Sequence, residues 1–157
     1  MELEQAMRER RSIRGFLDKP VAQELLEEVV ALANRAPSSM NTQPWHLHVL
    51  TGEPLEAVRK GNSERMLAGV PPVREISAHA AYAGPHRDRQ IEIAVQLFEA
   101  MGIERHDKEM RQDWVMRGFR QFDAPVSFVV CLDKSLVDDT IGHFDLGAMT
   151  YGLVLAA

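Results

Sequence analysis

APSSMNTQPWHLHVL, residues 36–50, changes character halfway along. From Pro37 to Pro44 it holds prolines, small hydroxyl residues and amides, with no charge. Trp45 closes that part, and the β-compatible HLHVLT, residues 46–51, follows. A strand is expected there. The polar half therefore reads as a stiffened loop feeding a strand, and its side chains either turn the chain or hold something.

Helices are expected on both sides of this pivot. Residues 2–11 read as a short charged helix with Leu3, Ala6 and Met7 on one face. After SIRGFLDKP, a second helix is expected in VAQELLEEVVALANRA, with Pro20 near its start and Asp18 as a possible cap. There Val21, Leu25, Val29, Leu32 and Ala36 keep helical spacing. Beyond the strand, Gly52 and Pro54 lead into a short helix over 54–60, and residues 61–85 read as irregular. An amphipathic helix over 88–102 would put Ile91, Ala94, Val95, Phe98 and Met101 on one face, and another helix would run from Asp107 to Arg120. DAPVSFVVCLD gives a second strand over 126–132, read as buried, and a last helix would start at Val137 or Asp139. Gly142, Gly147, Ala148 and Gly152 would let that helix pack closely. Few strands separated by several helices make the class α+β.

Composition narrows the function. The 157 residues suffice for one domain with a core, and 45% hydrophobic with 26% charged residues is ordinary for a globular chain. A formal net charge of -5 argues against a general nucleic-acid binder but leaves room for a local basic pocket. The single cysteine, Cys131, rules out an intramolecular disulfide and is expected to be a buried, inert thiol. No apolar run approaches the ~20 residues of a membrane span, and MELEQAMRERRS lacks a signal-peptide core. The expectation is a cytoplasmic protein with neither membrane nor nucleic-acid partners. FDLGAMTYGLVLAA, residues 144–157, grows more apolar without a helix stop, as if the helix were cut in mid-run. Either more chain or a partner is expected to cover it.

Two stretches carry binding chemistry. In ERRSIRGF, residues 9–16, Arg10, Arg11 and Arg14 bracket Ser12, and forked guanidiniums beside a hydroxyl suit a phosphate. The alternative is a solvated basic face paired with Glu2, Glu4 and Glu9. In the opening stretch Ser38, Ser39, Asn41 and Gln43 offer uncharged donors and acceptors for a neutral heteroaromatic edge or a polyol. The alternative is that they satisfy the loop's own backbone.

RRSIRGF followed by APSSMNTQPWHLHVL resembles the nitroreductase family of flavin enzymes. QFDAPVSFVVCLD and HFDLGAMTYGLVLAA add weaker matches, and the region from 62 to 117 is the least constrained. The resemblance implies one nitroreductase-like domain over 1–157, lacking the family's C-terminal part. It implies a central, mostly antiparallel sheet surrounded by helices, and a homodimer with FMN sites at the subunit interface. By the same resemblance, Arg10, Arg11, Ser12 and Arg14 contact the FMN phosphate and ribityl chain. Pro37, Ser38, Ser39 and Asn41 lie near the isoalloxazine, contributed from the neighbouring subunit, with Gln43 an extra contact. Arg120, before the FDAP turn, stands where the family often places a basic residue near the flavin. The implied chemistry is ping-pong: NAD(P)H, a transient donor, passes a hydride to tightly bound FMN, and an electron-poor nitroaromatic or quinone then replaces it. The cofactor supplies the redox chemistry, so no acid-base residue is required. Rival readings are other flavin chemistry (dehalogenation, enone reduction or flavin fragmentation) and a truncated, non-catalytic dimerisation or binding protein.

Other signals are weak. The histidines, His46, His48, His79, His86, His106 and His143, make no recognisable zinc pattern. Asp138 and Asp139 read as a helix start rather than a catalytic pair. Tyr82 and Trp114 suit either packing or a substrate pocket. Without a GxGxxG motif, a nicotinamide would have to stack on the flavin.

Overall fold

In the computed structural model, which describes residues 2–73 and 81–157, the chain divides into two compact units. One comprises the residues up to Arg59 together with Gln121–Ala157; the other is Lys60–Arg120.

In the first unit, α1 (Leu3–Glu9) is followed by irregular chain, then α2 (Gln23–Ala33) and β1 (Trp45–Leu50). β2 (Ser127–Leu132) and α6 (Thr140–Ala156) complete it, while α3 (Gly52–Leu67) crosses the boundary between units. The strands pair antiparallel, Trp45 opposite Leu132 and Leu50 opposite Ser127. The two-residue period of a strand puts Trp45, Leu47, Phe128 and Val130 on one face. That face packs on a buried cluster of Val29 and Ala33 from α2 with Met149 and Leu153 from α6. The α+β reading holds.

α2 and α6 approach closely because of one glycine. A Cβ at Gly152 would lie 3.3 Å from Ala33 Cα and 3.4 Å from its carbonyl oxygen. Gly142 meets Leu132 similarly, whereas Gly147 faces open space.

Several expectations need correction. α2 starts at Gln23, and its N-cap position is Ala22, whose side chain makes no capping bond. Asp18 stands too far upstream, because the helix does not begin before Gln23 and Asp18 itself lies in a bend. Of the expected stripe Val29 is buried and Ala36 packs on the core, but Leu25 and Leu32 are exposed, and Ala33 takes the buried place beside Val29. α1 buries nothing, so Leu3 and Met7 stay exposed. β2 is covered on one face only. Val129 is therefore exposed, and Cys131, opposite His46, is half-buried. α3 runs to Leu67, so residues 61–67 are helical. His79 lies outside the described residues. α6 begins at Thr140 with Asp139 as its cap, accepting from the Ile141 N–H at 3.0 Å.

The second unit holds α4 (Gly84–Ala100) and α5 (Lys108–Phe119). Gly102, at φ 64°, ends α4 in the left-handed conformation that glycine adopts without strain. Asp107 caps α5 by accepting from the Met110 N–H at 2.9 Å. Ile103 and Met116 are buried, and the Arg111 guanidinium stacks 4.6 Å from the Phe98 ring centre. No residue of α4 is fully buried, and Ile91 and Val95 of its expected apolar face are exposed.

Candidate functional site

Residues 37–45 form a braced turn. Ser38 is extended, and Ser39–Asn41 make one turn of 3₁₀-helix. Met40, Asn41 and Gln43 have φ of 50°, 59° and 45°. Asparagine tolerates this left-handed region; methionine and glutamine do so at a cost of order 1–3 kcal/mol each. Such a conformation persists only where its surroundings enforce it.

Internal bonds supply part of that enforcement. The Asn41 and Thr42 N–H groups donate to the carbonyls of Ser38 and Ser39 at 3.1 and 3.0 Å. The Gln43 N–H donates to Ser38 Oγ at 3.0 Å, and Gln43 Nε2 to Asn41 Oδ1 at 3.1 Å. Ser38 thus serves the loop's own backbone, one of the two uses expected of it. Ser39, Asn41 and Gln43 remain exposed to solvent, and Pro37 and Pro44 flank the turn.

Three contacts tie the turn to the fold. Trp45 Nε1 donates to Asn34 Oδ1 at the end of α2, 3.2 Å away. The Asp133 N–H donates to the Pro44 carbonyl at 2.8 Å. The Ser39 N–H donates to Asp145 Oδ2 at 2.9 Å, and Asp145 is only 5% exposed on α6. Asp145 escaped sequence reasoning, although it is the one charged residue in FDLGAMTYGLVLAA.

Asp133, also missed, gathers the end of the sheet. Its Oδ1 accepts from Ser135 Oγ at 2.6 Å and the Ser135 N–H at 2.9 Å, and its Oδ2 lies 3.1 Å from His46 Nε2. The Ser135 hydroxyl, then His46, then the Ser135 N–H lower its pKa from 3.8 to about 2.

The basic segment lies in the same unit as the turn. Arg10, Arg11, Ser12 and Arg14 are exposed on the irregular chain after α1. The acidic residues of α1 are satisfied by others: Arg8 Nε donates to Glu4 at 2.9 Å and Gln5 Nε2 to Glu9 at 3.1 Å. Among the described residues no ion pair joins Arg10, Arg11 or Arg14 to a carboxylate; Arg14 Nη1 makes a long contact of 3.4 Å to the Ser12 carbonyl. The three arginines are thus solvated, as the alternative expected, but the pairing with Glu4 and Glu9 is not what forms. Forked cationic donors without carboxylate partners, and a rigid amide-hydroxyl turn, fit the phosphate and the ring edge of a flavin mononucleotide.

Arg120 belongs to the other unit. It caps the C-terminus of α5, with Nη2 3.9 Å from Asp113 Oδ1. Trp114 is half-buried with the Arg117 guanidinium 5.9 Å from its ring, and Tyr82 is exposed. Among the described residues no group of three or more His, Cys, Asp or Glu is arranged to hold a metal, and no helix is long and apolar enough to cross a membrane.

Known proteins resemble this chain in sequence and in fold. The chain is 38% identical over 158 residues to nitrobenzene nitroreductase of Ectopseudomonas oleovorans, spanning 99% of this chain and 68% of that protein. Chloronitrobenzene nitroreductase of Comamonas testosteroni is 36% identical over the same shares of both chains. Among solved structures, the FMN- and NADPH-dependent nitroreductase NfnB from Sphigopyxis sp. strain HMH superposes with a TM-score of 0.91 at 29% identity, covering 99% of this chain and 70% of that one. The FMN-dependent NfnB from Mycobacterium smegmatis, in complex with NADPH, gives 0.88 at 25% identity, covering 98% and 68%. The sequence model of the nitroreductase family matches residues 7–157, and the chain belongs to that family.

Proposed function

We propose that this protein is an FMN-dependent oxidoreductase that uses NAD(P)H to reduce an electron-poor acceptor, a nitroaromatic or a quinone. Bound FMN supplies the hydride chemistry. For a nitroarene the first two-electron step balances as ArNO2 + NAD(P)H + H⁺ → ArNO + NAD(P)⁺ + H2O. The observation that carries the reading is the pair of complementary elements in one unit: unpaired arginines beside Ser12, and the braced turn presenting Ser39, Asn41 and Gln43. Family membership, together with relatives named for nitrobenzene, chloronitrobenzene and 4-nitrobenzoate reduction, supports the acceptor class.

In this reading Arg10, Arg11, Ser12 and Arg14 bind the phosphate and ribityl chain, and Pro37, Ser38, Ser39, Asn41 and Gln43 frame the ring. The whole chain acts as one nitroreductase-like domain in the cytoplasm. The partner is a second copy. α6 is apolar on both faces, and its Ile141, Phe144, Tyr151 and Val154 are exposed in the single chain. A helix apolar all round is stable when it is covered on all sides. NADPH is the first donor to try, since the NfnB structures are described with it. Mixing FMN-loaded protein, NADPH and nitrobenzene should consume NADPH with formation of nitroso or more reduced products. Bound FMN without NADPH consumption would overturn the proposed acceptor class and donor.

A further inference from the structure

We propose that Asp145 is the positioning residue of the 37–45 turn, fixing through the Ser39 N–H the backbone that presents Asn41 and Gln43 to the flavin; this rests on the reading of that turn as an FMN contact. A carboxylate this deeply buried needs a hydrogen-bond partner, and the partner it has is a backbone N–H 106 residues away in sequence, at 2.9 Å. That N–H opens the 3₁₀ turn, where no earlier carbonyl within the turn can accept from it. Immediately after it the chain enters left-handed conformations at Met40 and Asn41 and again at Gln43. The other two ties, at Pro44 and Trp45, hold only the far end of the turn. Asp145 is therefore the anchor on the side where the strained residues begin. Its own helix is held by the core through Met149 and Leu153, so the anchor is rigid.

The test compares Asp145→Asn, which keeps an acceptor oxygen, with Asp145→Leu, which has none. Both are read in the FMN-loaded full chain by residue-level amide exchange and by FMN titration. Asp145→Asn should keep the 39–43 amides protected and FMN affinity within about threefold. Asp145→Leu should speed exchange across 39–43 and weaken FMN by about tenfold or more. A folded Asp145→Leu protein with native exchange and native FMN affinity would overturn the proposal, as would equal damage from both variants. Fast exchange in Asp145→Leu with unchanged FMN affinity would show that Asp145 orders the turn but that the turn does not hold the flavin, overturning the functional reading beneath the proposal. Should the leucine variant not fold, the wild-type protein decides. A Ser39 amide exchanging as slowly as those of α6 supports the anchor, and one exchanging as fast as an open loop removes it.

Discussion

Arg14 stands at the centre of the cofactor argument at the residue scale, because its guanidinium lacks a carboxylate and makes one long contact to a carbonyl. Arg14→Ala should weaken FMN binding by about 1.5–3 kcal/mol, the range for a charge-assisted hydrogen bond. Unchanged affinity in a titration would take Arg14 out of the site. Asp133 carries a pH prediction. Its pKa is depressed, so its contribution to stability is complete above the ordinary value of 3.8 and is lost as pH falls toward about 2. Ser135→Ala removes the largest cause and should move the Asp133 carboxyl titration, followed by NMR, back up toward 3.8. The polar clusters around Ser12 and Ser39 were legible from composition alone. Asp145 was not, because its partner lies 106 residues away, and neither was the meeting of Asp133 with His46, which spans 87 residues; only the Asp133–Ser135 contact is local.

At the scale of elements, the α2–α6 contact decides whether the core closes. Gly152→Val should destabilise the protein by about 1–3 kcal/mol in urea unfolding, since its side chain must enter the Ala33 backbone. A gain at Gly152 would contradict this packing. Both strands and the helices after residue 84 could be read from sequence, because proline, glycine and capping aspartates mark their limits. The extent of α3 could not. GNSERML contains weak helix formers, yet the helix continues through them to Leu67, as propensity is only a weak prior. Nor did periodicity identify the covered stripe of α2, since Leu25, Leu32, Val29 and Ala33 all fit helical spacing and only packing against α6 selects among them.

For the whole molecule, the expected assembly is a homodimer that covers the outer face of α6. Phe144, 80% exposed in the single chain, is its most exposed apolar side chain. Phe144→Glu should shift the protein from dimer to monomer in sedimentation, because a carboxylate buried there would lack a partner; a variant that stays dimeric would place the interface elsewhere. The central claim is that the chain holds FMN and reduces it with pyridine nucleotide. A visible absorption spectrum of the purified protein, supplied with FMN and then with NADPH or NADH under anaerobic conditions, tests it most directly. The account predicts a protein-bound flavin band that bleaches on adding the nucleotide. A protein that retains no flavin, or a bound flavin that neither nucleotide bleaches, would contradict it.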